Sequence, residues 1–294
     1  MRTIALGLFL LVFFATVVPA AEPDVILYPH PQSASDSRFD YHLSLLREAL
    51  ERTVAEYGPF ELRPTHVTMN QLRQFDLLQS GSRLLDVAIK PTSTEREKRL
   101  TPVRIPLGKG LVGWRILLIH RHTQDDLAQV SGLDDLKRFR FGQGLGWSDI
   151  RILAHNGLTV IEGGSYEGLF SMLLSDRFEL FPRSISEALV EWDERHADVP
   201  NLCVERTLLL HYPFARYFWT AKSERGDRLR ERITKGLEAM IADGTFEARF
   251  QAQYGDLIHR ARLDQRLLIR LENPDLPPAT PLDRKELWFD PSLR

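Results

Sequence analysis

The chain has 294 residues, with 38 Lys and Arg against 40 Asp and Glu, a formal net charge of −2. That near-balance supplies no polycationic surface for a nucleic-acid backbone, so no nucleic-acid partner is expected. Hydrophobic residues at 43% and charged residues at 27% are globular proportions and exclude intrinsic disorder as the main state. The single cysteine, Cys203, permits neither an intramolecular disulfide nor a cysteine-rich zinc cage, and no metal or other cofactor is expected.

Residues 1–20 read as a secretory signal peptide: Arg2, an apolar run from Ile4 to Val18, then Pro19-Ala20-Ala21. Cleavage after Ala20 removes Arg2 and leaves 37 basic against 40 acidic residues, a mature charge of −3. The run is shorter than the ~20 residues a spanning helix needs, and no cysteine follows it to carry a lipid, so an exported soluble product is expected.

Asp24 to Tyr28 then reads as a short buried strand. Phe39, Leu43, Leu46, Leu50, Val54 and Tyr57 recur at helical spacing, with Ser37 and Asp40 resembling a capping box and Gly58-Pro59 as the stop. A strand over 60–68, a helix over 70–79 and a strand over 84–89 follow. The order βαβαβ returns at 139–142 (strand), 148–155 (helix), 158–161 (strand), 166–174 (helix) and 178–181 (strand). Such units form parallel sheets with helices on both faces. Between them lies the apolar stretch Trp114 to His120, matched later by Val204 to Tyr212, and two such crossings predict two lobes on a double hinge. Lobe one takes 22–115 and 213–294, lobe two 116–212. A helix over 227–243 carries the stripe Leu229, Ile233, Leu237, Met240 and Ile241, and a second, short helix carries Phe246, Phe250 and Tyr254. Residues 273–291 hold five prolines and Trp288-Phe289, an irregular tail pinned to a lobe by its aromatics.

At this point the sequence resembles the type II periplasmic solute-binding proteins, specifically the extracellular solute-binding family 3 that includes amino-acid receptors of ABC transporters. The carriers are Asp86-Val87, Thr94-Glu95-Arg96, Leu133-Asp134-Asp135-Leu136, Phe141-Gly142 with Gly146, Asp176-Arg177-Phe178 and Met240 to Thr245. The run Phe181-Pro182-Arg183-Ser184 and the Pro-rich end resemble a proteobacterial branch of that family. The resemblance implies an α/β fold of two lobes, each a doubly wound, mainly parallel sheet, joined by a two-strand hinge.

It also implies a cleft between the lobes. On the first side, Arg96 matches the arginine that grips a ligand carboxylate by a two-pronged hydrogen bond, with Ser93 and Thr94 adding hydroxyl donors or capping a turn. Tyr28, ending the first strand, suits both core packing and ligand contact. On the second side, Gly142-Gln143-Gly144-Leu145-Gly146 lets the backbone approach a ligand and Ser148 can donate, while Trp147 suits stacking on a ligand and lobe-interface packing equally. Where the family places an acid for the ligand ammonium, this chain has Ser184 beside Arg183. Arg183 facing the cleft favours an anionic or dicarboxylate-like solute; paired with Glu179 or Glu187 it is a surface ion pair.

Enzyme chemistry finds no array. There is no Gly-x-Ser-x-Gly, His-Glu-x-x-His or phosphate loop, and His120 and His122, two apart on a strand, should face opposite sides. Cys203 reads as a small buried hydrophobe. The expected function is therefore capture of a small polar, carboxylate-bearing solute in the periplasm by hinge closure, by a monomer that delivers it to an inner-membrane ABC permease. A subunit that reports to a membrane sensor, or an enzyme derived from the same fold, are the alternatives.

Overall fold

A computed structural model describes residues 22–31 and 39–293; the expected signal peptide at 1–20 and the Ser37 cap lie outside the described residues. In chain order the elements are β1 (Asp24–Tyr28), α1 (Asp40–Glu51), α2 (Val54–Tyr57), β2 (Phe60–Pro64), α3 (Gln71–Gln79), β3 (Val87–Pro91), α4 (Thr94–Arg99), β4 (Pro102–Val103) and β5 (Trp114–His120). There follow α5 (Gln124–Leu127), α6 (Leu133–Leu136), β6 (Arg140–Gly144), α7 (Asp149–His155), β7 (Thr159–Gly163), α8 (Tyr166–Leu174), β8 (Leu180–Ser184), α9 (Ile185–Arg195) and β9 (Leu202–Val204). The chain closes with β10 (Leu208–His211), β11 (Arg216–Thr220), α10 (Glu224–Ala242), α11 (Thr245–Ala261) and β12 (Leu267–Arg270).

Two sheet systems result. In the first, β1 and β2 pair in parallel from Asp24↔Phe60 to Tyr28↔Pro64. Asp86, just before β3, is tied to β1 twice: its N–H donates to the Leu27 carbonyl at 2.9 Å, and its carboxylate accepts from the Leu27 N–H at 2.8 Å. β3 then pairs antiparallel with β11, and β11 with β4. The second sheet runs β12-β10-β5-β8-β6-β7, with β9 on the end of β5. Here β6 is parallel to β7 and β8, and β5 is antiparallel to β8, β9 and β10.

The chain leaves the first system at Gly113 and returns after His211, and the crossings lie side by side: Trp114 pairs with His211, and the Tyr212 N–H donates to the Gly113 carbonyl at 3.2 Å. A Cβ on Gly113 would stand 2.1 Å from the Tyr212 carbonyl oxygen, so this close approach requires glycine.

Several elements depart from the sequence expectation. β11 was not expected; its fully buried run Tyr217-Phe218-Trp219 lies antiparallel between β3 and β4 in a three-stranded sheet separate from the parallel β1–β2 pair. α9, also unexpected, begins at a capping box in which Ser184 and Glu187 each satisfy the other's backbone N–H. α11 is long, 17 residues, because the face carrying Phe246 and Phe250 continues through Ile258 and Ala261. Leu267–Arg270, inside the span expected for lobe one, forms β12 on the edge of the second sheet. His120 ends β5 and the chain turns at once, so the His120 and His122 rings lie 4.1 Å apart rather than on opposite faces.

The first lobe's core is sealed by α1 against α10, where Leu45, Leu46, Ala49 and Leu50 meet Leu229, Ile233, Leu237 and Met240. The helices touch backbone to side at Gly236, whose added Cβ would lie 2.0 Å from the Ala49 carbonyl oxygen. Arg232 reaches from α10 to the Leu50 carbonyl (3.2 Å) and the Gly58 carbonyl (2.9 Å), closing the end of α1. Gly236→Ala is therefore expected to destabilise the protein by about 1–3 kcal/mol despite its better helix propensity, which urea unfolding would measure. Wild-type stability in that variant would contradict the close packing.

Candidate functional site

The groups that could meet a solute lie at the strand ends where the two lobes face each other. On the first lobe, β3 ends in Lys90-Pro91 and passes straight into α4. The Ser93 hydroxyl is spent as the cap of α4, accepting the Arg96 N–H at 3.2 Å. Arg96, half-buried, donates Nη1 to the Pro91 carbonyl at 2.9 Å. Among the described residues it has no carboxylate within ion-pair distance; burial lowers its pKa and Asp275 offsets that in part. Thr94 gives both its N–H (2.9 Å) and its hydroxyl (3.3 Å) to the Asp275 carbonyl.

Lys90 is 4% exposed and has no acidic partner among the described residues. Burial, and secondarily the nearby Arg96 guanidinium, bring its pKa down to about 8. A buried and a half-buried cation thus stand next to each other with no carboxylate at ion-pair distance among the described residues. Beyond them, Arg216 opens β11 opposite Pro91. On α1, His42 is 4% exposed with an unpartnered Nδ1; burial, then Arg216, hold it neutral with a pKa of about 3. Tyr28 borders a small apolar cavity shared with Pro29, Leu43, Ile89 and Phe218.

The second lobe is charged but balanced. Asp149 accepts from Arg115 Nη2 at 2.6 Å and from the Tyr212 hydroxyl. Arg183 makes a fork to Glu191, Nη2 to Oε1 at 2.6 Å and Nε to Oε2 at 2.9 Å. Glu187 lies 3.4 Å from each of Arg183, Arg115 and, across the lobes, Arg216. Burial would raise its pKa, yet the three guanidiniums hold it at about 2. Ser184 is fully buried, its hydroxyl 2.6 Å from that of Ser186. Trp147 packs against Gly144 and stacks on Phe181 with centroids 6.4 Å apart, and the Arg183 guanidinium lies 4.9 Å from its ring. Ser148 precedes α7 without a side-chain cap bond.

Of the residues singled out from sequence, Ser93, Thr94 and Arg96 stand together on α4, and Trp147, Arg183 and Ser184 together beside the buried ion pairs. Lys90, Arg115, Asp149, Glu191 and Arg216 were missed. Their signal was present: Lys90, Arg115 and Arg216 are single cations embedded in apolar strands, a pattern that burial tolerates only with a partner or a purpose. Among the described residues no group of three or more His, Cys, Asp or Glu could hold a metal ion. Cys203 is half-buried on β9.

No protein-family model matches the chain. No curated protein sequence matches it either. Solved structures do. An ancestral arginine-binding protein bound to arginine aligns over 80% of this chain and 100% of its own, with 18% identity and a TM-score of 0.52. The substrate-binding protein of an amino acid ABC transporter aligns over the same shares with 12% identity and a TM-score of 0.52. A structure from work on glutathione import via GshT and the cystine ABC importer TcyBC of Streptococcus mutans aligns over 80% and 96%, with 12% identity and a TM-score of 0.54. At these identities the likeness establishes the fold: the chain has the two-lobed α/β fold of type II periplasmic solute-binding proteins.

Lys90 gives a direct test of the electrostatics. Its folded pKa lies below the unfolded one of ~10.4, so between about pH 8 and that value the unfolded chain binds more protons and stability climbs with pH. Lys90→Met is expected to stabilise the ligand-free protein at about pH 7 by ~1–3 kcal/mol and to abolish its share of that climb. Urea melts at about pH 7 and pH 9.5 would show both effects, and a variant less stable than wild type would contradict them.

Proposed function

We propose that the protein captures a small carboxylate-bearing solute between its lobes and releases it to an inner-membrane ABC-type permease, without chemical conversion. The observation that carries this reading is the pair of cations Lys90, buried without an acidic partner among the described residues, and the half-buried Arg96, which has no carboxylate within ion-pair distance among them and feels only the more distant Asp275. A buried cation left uncompensated is costly, and an anion arriving from solvent would remove that cost. The planar fork of Arg96 suits a carboxylate, with Thr94 able to add a donor once its present acceptor departs.

Charge accounting narrows the solute further. Glu187, the acid nearest the position where the family holds an ammonium, is already shared among three arginines. It therefore offers little to an ammonium, and Ser184 offers none. The likeness to arginine-binding and amino-acid-transporter proteins supports solute capture, while this balance favours an organic anion over an α-amino acid. Trp147 and Arg183 act in this reading as the packed wall of the second lobe rather than as ligand contacts, and Tyr28 as a wall of the first.

A thermal-shift screen of carboxylic acids, amino acids and inorganic anions tests the class, since a ligand specific to the folded state adds about 2.7 kcal/mol at one hundred times its dissociation constant. Organic acids should raise the melting temperature. With the best of them, calorimetry on Arg96→Ala and Arg96→Lys should each show a loss of about 2 kcal/mol or more, because a point charge does not replace the fork. Wild-type affinity in Arg96→Ala would overturn the assignment. The periplasmic location rests on residues 1–20, and amino-terminal sequencing of the exported chain should begin at Ala21; recovery of the intact chain with Met1 would count against it.

A further inference from the structure

The segment after β12 runs from one lobe to the other across the candidate site. At its start it is fixed to the second lobe: the Asn156 side-chain amide, capping α7, donates to the Glu272 carbonyl at 2.8 Å and accepts the Glu272 N–H at 3.0 Å. Asn273 then donates to the Pro213 carbonyl at 2.9 Å, beside the return crossing, and accepts the Asp275 N–H at 3.0 Å in a local turn. At its end the segment is fixed to the first lobe, where the Asp275 carbonyl takes both donors of Thr94. The Asp275 carboxylate meanwhile lies 2.9 Å from Arg151 on α7, and its charge offsets in part the lowering of the Arg96 pKa by burial. Farther on, Arg284 forks to Glu238 on α10 at 2.6 and 2.9 Å, and Leu287 is fully buried in the first lobe's core.

We propose that Glu272–Asp275 is a strap across the cleft, which ties α7 of the second lobe to α4 of the first and keeps the Thr94–Arg96 side covered by the chain's own Asp275. Chain length makes the tie effective. Three residues extend to about 10 Å at most, so while Asn156 and Thr94 both hold, the two helices cannot separate beyond that span. Opening of the lobes therefore requires one end to let go. The end at Thr94 is the weaker, because both of its donors share one carbonyl oxygen, the hydroxyl at a long 3.3 Å, whereas the Asn156 end pairs a donor with an acceptor and is backed by the β12 ladder. An incoming carboxylate that takes Thr94 and Arg96 displaces the Asp275 carbonyl from Thr94. That last step rests on the carboxylate reading of α4; the strap itself does not.

The test uses ligand-free protein, so its failure leaves the binding proposal standing and the reverse. Thr94→Pro removes one end: residue 94 is the first of α4, where proline is tolerated, and Ser93 before it is already extended at φ −158°, ψ 156°. Asn156→Ala combined with Arg151→Ala removes the side-chain holds on α7 at the other end. Hydrogen exchange and small-angle scattering are recorded on both, with the α10 amides as the reference for an intact fold. In each variant the radius of gyration should rise while the α10 amides keep their protection. An unchanged radius in a folded variant overturns the strap. Should one variant not fold, the other decides alone.

Discussion

The two halves of this molecule meet over one carboxylate. Glu187, at the start of α9, is ringed by Arg183 from β8, Arg115 from the outgoing crossing and Arg216 from the first strand after the return. Three guanidiniums around one acid would be untenable in a buried setting, and the fold resolves this by giving two of them a second partner: Asp149 for Arg115, and Glu191 for Arg183. Arg216 is then left to Glu187, across the lobe boundary. The capping box holds Glu187 in place by tying it to the Ser184 backbone, and Trp147 and Phe181 lie against the Arg183 guanidinium, at 4.9 and 5.2 Å. A short stretch of chain, from the β8 strand end into α9, thus sets how the lobes approach each other.

This balance defines the rest by contrast. The second lobe pairs its buried acids and arginines with one another, while the first keeps Lys90 buried without an acidic partner among the described residues and Arg96 half-buried with no carboxylate at ion-pair distance. The asymmetry, rather than any one residue, is what makes the α4 side attractive to an anion. It also explains the position of the tail. A carboxylate on a tethered segment is the nearest source of compensating charge, and Asp275 occupies that place while its carbonyl quenches the donors of Thr94.

The crossing between lobes shows how packing and mobility share residues. Gly113 lets the two crossing strands pass close enough to pair, and Phe289 from the tail packs between Trp114 on one crossing and Phe250 on α11. The tail is thus built into the hinge rather than laid over it. Removing it would expose Trp114 as well as free the cleft, so its two contributions, to packing and to restraint, are separable only by changes as local as those at Thr94 and Asn156.

Much of the architecture was legible in the chain because it depends on local periodicity. The run Trp114 to His120, the stripe along α10 and the turn cap at Ser93 each declare their element from a few adjacent residues. The Ser93–Arg96 turn was legible for the same reason, its cap bond being three residues long. What stayed hidden lies between segments. Nothing near Arg183 announces that Glu191, a strand end and two helical turns away, will neutralise it, and nothing near Thr94 points to Asp275, 181 residues on. Lys90, Arg115 and Arg216 look alike in sequence, each a lone cation in an apolar strand, yet only the packing decides that two of them find acids at close range and one does not. Periodicity determines which face of an element is buried; which charges that burial brings together depends on the elements that cover it, and that information exists only in the assembled fold.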